Sequence, residues 1–271
     1  MNKVTQIAVT LVVILITMSS CSEYSKIVKG SDYPLKYKTA LKLYDEGECY
    51  KSLTLLEELM TYYRLSEKSE NVYYYYAKTH YCLKEYYLAS YYFKRFTKKF
   101  PSSNRVEECA YMTALCTKEN SPEYNLDPSE TTKAIDAFQL FMDRYPNSEK
   151  VDTCNFMIKE LRGKLEKKSY EQAKLYYKME RYNSAVIAFQ NTLDKFPDTQ
   201  YREELMYLKV KAGYLLADNS VAKKKEERFG NVIESYRIFA NYFSESKYLK
   251  SATKYFEDSE NQLSKIKEKK Q

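Results

Sequence analysis

The sequence predicts an all-α fold, a right-handed α-solenoid of about five helical hairpins closed by a C-terminal capping helix. Three observations carry that prediction. The first is a phrase in which a small residue is followed by large apolar residues after four and seven positions and by an aromatic after eleven. It reads Ala89, Phe93, Phe96, Phe100; Ala134, Phe138, Phe141, Tyr145; and Ala185, Phe189, Thr192, Phe196, with weaker copies at Ser52, Leu56, Leu59, Tyr63 and at Val232, Tyr236, Phe239, Phe243. Steps of four and three place these side chains on one stripe of a helix. The second is punctuation: Pro101, Pro146 and Pro197 follow the three strong copies, and proline stops a helix because it lacks an N–H and clashes with the preceding turn. The third is composition, with 30 tyrosines, no tryptophan and only 5 glycines, which suits helices that meet through amphipathic rings.

The elements follow in order. Twelve residues before a small residue stands another: Ala40 before Ser52, Ala77 before Ala89, and Ala173 before Ala185. Two small residues twelve apart, an aromatic four further on and a proline twelve after the second small residue resemble the tetratricopeptide repeat, in which the small residues let the two helices of a hairpin touch. In that register the first unit spans 33–66, the second 70–103 and the fourth 166–199. Insertions stretch the third and fifth units. Residues 119–127 separate the helices of the third, with Pro128 at a helix start, and Asp218 to Ser220 begin a polar break in the fifth. Residues 150–179 stay helical in pattern, with Gly163 the one weak point, so the fourth unit has a long first helix. Residues 248–269 read as one amphipathic helix with Leu249, Ala252, Phe256 and Leu263 inward, capping the stack.

The start of the chain has a different character. Lys3 precedes an apolar run from Ile7 to Ile16, too short to span a bilayer comfortably and suited to the core of a secretory signal. Met18, Ser19, Ser20 and Cys21 follow, and small residues before a cysteine at that place resemble the lipobox of bacterial lipoproteins, although Met18 stands where leucine is usual. That resemblance implies a signal over 1–20, cleavage before Cys21 and a covalent lipid on Cys21 as the only prosthetic group. The other reading is an ordinary secretory signal with an incidental cysteine. Cys49, Cys82, Cys109, Cys116 and Cys154 form no C-x-x-C pair and are odd in number, so they read as small buried residues at helix contacts. A disulfide between neighbouring helices is compatible with an oxidising compartment but not forced.

Chemistry leaves few traces. His80 is the only histidine and falls at a core position of its repeat, so a packed or capping role fits it better than catalysis. No phosphate-binding glycine loop and no metal-ligand spacing are present, and the pairs Glu57, Glu58 and Glu107, Glu108 point in different directions from a helix. No enzymatic activity, metal or nucleic-acid partner is expected, because a net charge of +7 mixed along the chain is not a nucleic-acid footprint. By the repeat resemblance the first helix of each hairpin lines a groove, through Tyr37, Leu41 and Tyr44 in the first unit, Tyr74, Lys78 and Tyr81 in the second, and Tyr170, Lys174 and Tyr177 in the fourth. Rings with interleaved lysines suit an extended peptide with a carboxylate. The alternative is that these tyrosines pack between neighbouring hairpins.

Signal, lipid-accepting cysteine, chain length, five repeat units and the phrase Tyr86, Ala89, Phe93, Phe96, Phe100, Pro101, echoed from Ala134 to Pro146, together resemble the BamD family of outer-membrane assembly lipoproteins. The resemblance implies a tether over 21–32, N-terminal repeats over 33–147 that receive unfolded barrel substrates, and C-terminal repeats over 148–245 that dock the periplasmic domains of a β-barrel insertase. A capping helix and basic tail occupy 246–271. It also implies attachment to the periplasmic side of the outer membrane and a place beside other assembly lipoproteins. The alternative function is a repeat-based nutrient-binding surface lipoprotein partnered with an outer-membrane transporter.

Overall fold

The computed structural model describes residues 23–268, so the expected signal, Cys21 and the last three residues lie outside the described part. The described residues contain helices and no strand: α1 (23–29), α2 (Tyr33–Asp45), α3 (Cys49–Tyr62), α4 (Ser69–Cys82), α5 (Tyr86–Lys99), α6 (Val106–Glu119), α7 (Ser129–Arg144), α8 (Val151–Lys178), α9 (Tyr182–Lys195), α10 (Arg202–Asp218), α11 (Ala222–Tyr242) and α12 (Leu249–Glu268). Consecutive helices pack as hairpins, which makes the fold an all-α solenoid as the repeats predict.

Two compact units divide it. One holds the described residues up to Pro122 together with Pro128–Leu161, and the other holds Glu123–Asp127 and everything from Arg162 on. The division falls inside α8 and not near residue 148, because the two ends of that helix serve different cores. Cys154, Ile158 and Leu161 pack with Phe138 and Phe141 of α7 in the first unit, whereas Tyr170 and Ala173 pack with Ala185 and Phe189 of α9 in the second. Gly163 is accommodated within the helix.

The repeated phrase is the core. Phe93, Phe96, Phe138, Phe189 and Phe239 are completely buried, and burying such a ring stabilises the fold by about 1.5 to 3 kcal/mol. Ala40 and Ser52, Ala77 and Ala89, and Ala173 and Ala185 are buried to the last atom, and the Ser52 hydroxyl donates to the Ala40 carbonyl at 2.8 Å where the two helices of the first hairpin touch.

Within three hairpins the turn follows one plan. The N–H groups of Glu48, Glu85 and Arg181 reach back to the carbonyls of Leu43, His80 and Tyr176 at 2.8, 2.9 and 3.0 Å, closing each first helix. The residue before each is left-handed: Gly47 at φ 79°, but Lys84 and Glu180 at φ 60° and 58°, where a side chain is strained.

Between hairpins a second plan recurs. Ser103, Ser148, Thr199 and Ser246 each accept the N–H two residues on, at 3.0 to 3.2 Å, and each donates its hydroxyl proton to a glutamate of the preceding first helix, Glu70, Glu107, Glu166 and Glu203 respectively, in the first turn of α4, α6 and α10 and midway along the long α8. One hydroxyl thus fixes the turn and clasps the neighbouring hairpin.

One finding takes up an alternative that the sequence reading left open, and two differ from it. Cys49 and Cys82 are joined in a disulfide between α3 and α4, while Cys109, Cys116 and Cys154 remain buried thiols as expected. The pairing eluded the sequence because the partners stand 33 residues apart, about one repeat, and Cys82 is exposed. The stretch expected as a tether is helical from residue 23. Tyr24, Ile27 and Val28 of α1 pack on the core of the first hairpin, and the Tyr24 hydroxyl donates to the Lys51 carbonyl at 3.0 Å. Lys36, only 1% exposed, donates to the Val28 carbonyl and pairs with Glu58, so its buried charge is satisfied while it pins α1 in place. In α12 the inward residues are Ala252 and Ser259, with Leu249, Phe256 and Leu263 half-buried.

Candidate functional site

The first helix of each hairpin carries a tyrosine, near its start in α2, α4, α6 and α10 and in the second half of the long α8, and the residue that opens the next element lies on that ring. In the first unit the cover is a cation: Lys68 stands 4.9 Å from the Tyr37 ring centre, Arg105 4.3 Å from Tyr74, and Lys150 5.9 Å from Tyr111. In the second unit it is another phenol: Tyr201 stacks on Tyr170 at 4.0 Å and Tyr248 on Tyr207 at 4.5 Å. Tyr74 and Tyr170 are accordingly buried, and these first-position tyrosines join hairpin to hairpin.

In the first unit polar bonds extend this seam. The Tyr37 hydroxyl accepts from the Asn71 amide at 2.6 Å, and the Asn71 carbonyl oxygen accepts from Arg105 at 2.6 Å. The Tyr74 hydroxyl donates to Glu108 at 2.6 Å. Burial first, and then this bond to a carboxylate, raise the Tyr74 pKa, so the phenol stays a proton donor at neutral pH. Lys78 lies between two rings, 5.5 Å from Tyr44 and 5.2 Å from Tyr74. Tyr44 meets Tyr75 edge-on at 5.3 Å, and Tyr81 meets Tyr86 at 5.5 Å. Leu41, Tyr44, Lys78 and Tyr81 keep part of their surface in solvent. Burial raises the pKa of Tyr44 and Tyr81 as well, so both offer neutral hydroxyls.

The second unit repeats the pattern with tighter ionic bonding. The Tyr170 hydroxyl donates to Glu204 at 2.8 Å, and the Lys174 ammonium donates to the Tyr170 oxygen at 2.7 Å and to Glu204 at 3.0 Å. Desolvation opposes ionisation of both partners, yet the hydrogen bonds and opposite charge prevail, holding the Lys174 pKa above its ordinary value and that of Glu204 below. Tyr177, half-buried, lies against Tyr182 and Phe189, with Lys211 5.6 Å from its ring. A hydrogen bond with Tyr177 is the main reason that the Lys211 pKa is raised.

Other reactive groups are packed away. His80 is buried, stacked on Tyr92 and edge-on to Tyr76, with Nδ1 2.6 Å from Glu85. Burial pushes the Cys109 and Cys116 thiols up to about 12 and Cys154 to about 11, so none is a ready nucleophile. Among the described residues no group of three or more His, Cys, Asp or Glu side chains is arranged to hold a metal, and no helix is long and apolar enough to cross a membrane.

The sequence model of the YfiO family, described as outer membrane lipoprotein, matches residues 33–229, which take in every residue of these two faces named before α11. The chain belongs to the YfiO family of outer membrane lipoproteins. Within curated relatives it is 23% identical over 223 residues to the outer membrane protein assembly factor BamD of Caulobacter vibrioides, covering 80% of this chain and 73% of that one. It is 24% identical over 258 residues to the putative outer membrane protein assembly factor BamD of Aquifex aeolicus, covering 94% and 84%. Among solved structures, the apo form of RapI aligns over 88% of this chain and 99% of that one, at 18% identity and a TM-score of 0.31.

In this YfiO-family chain the structure brings the expected tyrosines and lysines together within each unit and adds Lys68, Asn71, Arg105, Glu108, Tyr201 and Glu204, which the sequence reading missed. A signal for four of them was present. Tyr37, Asn71 and Arg105 stand 34 apart in succession, as do Tyr74 and Glu108, and Tyr170 and Glu204, so aligning the chain in columns of one repeat exposes the partners.

Proposed function

We propose that this chain is a non-enzymatic, lipid-anchored subunit of the machinery that assembles β-barrel proteins in the outer membrane. The observation that carries the reading is the partly exposed row of Tyr44, Lys78 and Tyr81 on the first helices of a YfiO-family repeat array, phenols and an ammonium held ready on a rigid scaffold. Such a row suits the terminal segment of an unfolded barrel, with aromatic side chains against the rings and the terminal carboxylate toward Lys78, Lys68 and Arg105. The names of the two relatives, both outer membrane protein assembly factors, support the same role. Docking of an insertase's periplasmic domains is assigned to the repeats of the second unit. Lipid on Cys21 would supply the anchor, and the Cys49–Cys82 disulfide is in keeping with an oxidising compartment beyond the cytoplasm.

The residues to alter are Tyr44, Lys78 and Tyr81 rather than the buried Tyr74. In the full chain, Tyr44→Ala with Lys78→Ala and Tyr81→Ala is expected to weaken binding of a barrel-terminal peptide by about tenfold, roughly 1.4 kcal/mol, with unchanged helix content by circular dichroism. Unaltered affinity removes the groove. Affinity purification from membranes tests the wider reading: recovery of a barrel insertase supports it, and recovery of a nutrient transporter instead overturns it.

A further inference from the structure

The helix α6 presents two opposite sides. Residues 108, 112 and 115 turn toward the tyrosine seam, and at 100° per residue Ala110, Thr113, Ala114 and Thr117 turn the other way. On that far side α5 and α7 stand as walls of a groove of about 510 Å³ over a floor of small residues, with Leu140 of α7 58% exposed at its edge. Its rim is basic. Lys94 and Lys98, one turn apart, line the α5 wall, and Arg144 ends the α7 wall; none of the three forms an ion pair among the described residues. Asp136 is the carboxylate that lines the groove, and Lys133 is engaged by Glu130 at 2.8 Å.

The second unit supplies an internal comparison. Its corresponding groove, between α9 and α11 over α10, keeps an apolar edge residue, Ile238, in the register of Leu140. Where Lys94, Lys98 and Arg144 stand, however, the repeat register gives Gln190, Asp194 and Tyr242. Packing of the hairpins therefore does not require the three cations, which leaves them available for a ligand.

We propose that the α5–α6–α7 groove docks an acidic amphipathic helix from a partner polypeptide. Small floor residues let a helix backbone approach closely, as in helix-in-groove recognition, and the apolar stripe of the incoming helix meets Leu140, Ala137 and Phe141. Carboxylates flanking that stripe on both sides face Lys94 and Lys98 on one wall and Arg144 on the other. This surface lies on the side of α6 away from the tyrosine seam and does not depend on the peptide site proposed above.

The test uses the full chain and two labelled synthetic helical peptides with the same leucine stripe, one flanked by glutamates and one by lysines, read by fluorescence anisotropy. The acidic peptide is expected to bind more tightly than the basic one, and the K94E/K98E/R144E variant to weaken it by about tenfold or more and to reverse the preference. The Tyr44→Ala, Lys78→Ala, Tyr81→Ala variant should leave this binding unchanged. Because the altered side chains are on the rim, circular dichroism checks that the fold is retained. Equal binding of the two peptides, or an acidic-peptide affinity indifferent to the charge reversal, overturns the proposal. So does capture of phosphatidylglycerol vesicles through the same three residues in place of the peptide, or a dimer in sedimentation that the reversal abolishes.

Discussion

Opening the Cys49–Cys82 bridge should cost the first unit several kcal/mol, and the loop it closes sets the size. Its ends are 33 residues apart, and the chain-entropy relation gives about 3.7 kcal/mol at 25 °C for a loop of that length. Reduction of the wild-type protein isolates that contribution, since both sulfur atoms stay in place. Replacing Cys49, 3% exposed, and Cys82 by alanine should remove about 1 kcal/mol more, the buried sulfur of Cys49 behaving much like a lost methylene. Urea unfolding of the oxidised, reduced and Cys49→Ala, Cys82→Ala forms measures the totals. Hydrogen exchange locates them: stability in an array passes mainly between neighbours, so protection should fall most in α2 to α5 and least in α10 to α12. A reduced protein within about 1 kcal/mol of the oxidised one, or a loss spread evenly over both units, would refute the reasoning.

Further outcomes are expected. Lys84→Gly and Glu180→Gly should each stabilise by about 0.5 to 1 kcal/mol in thermal unfolding, because they relieve a left-handed side chain, whereas Gly47→Ala at φ 79° should cost about 1 kcal/mol. Phe189→Ala should destabilise the second unit by about 3 to 5 kcal/mol by chemical denaturation, since its ring is wholly buried. The Lys174–Glu204 pair should give that unit a two-sided pH dependence. Glu204, whose folded pKa is below its ordinary 4.5, contributes stability above that value that is lost as pH falls through the folded pKa. Lys174, whose folded pKa is above 10.5, contributes stability below that value that is lost as pH rises through the folded pKa. With both side chains partly exposed the effect should be about 1 kcal/mol, and Glu204→Gln should flatten the acid limb of a stability-against-pH curve.

The hairpins were legible because their cause is local. The four-three-four spacing of Ala89, Phe93, Phe96 and Phe100 and its copies are the buried stripes, and Ala40, Ala77 and Ala173 do meet their partners. The long α8, Pro128 before α7 and the break after Asp218 follow from equally local signals. What stayed hidden lies between repeats. Glu70 and Glu166 find their hydroxyls 33 residues on, but the insertions stretch the same clasp to 41 for Glu107 and 43 for Glu203, so no fixed spacing reveals it. For the candidate site, the sequence reading found the tyrosine and lysine columns but not which tyrosines face solvent. That depends on the covering residue: Arg105, a guanidinium, and Tyr201, a phenol, occupy the same slot over Tyr74 and Tyr170.

The covered tyrosine has a bearing on how such a chain can change over time. Four joints ask the upstream neighbour for a phenol and a carboxylate, and the downstream neighbour for a hydroxyl followed two positions later by anything able to lie flat or carry positive charge. The Lys150 ammonium, the Arg105 guanidinium and the Tyr201 phenol all satisfy that requirement here. A duplicated or transplanted hairpin would bring both halves of this coupling with it, so the number of hairpins can grow or shrink without redesigning the ones that remain.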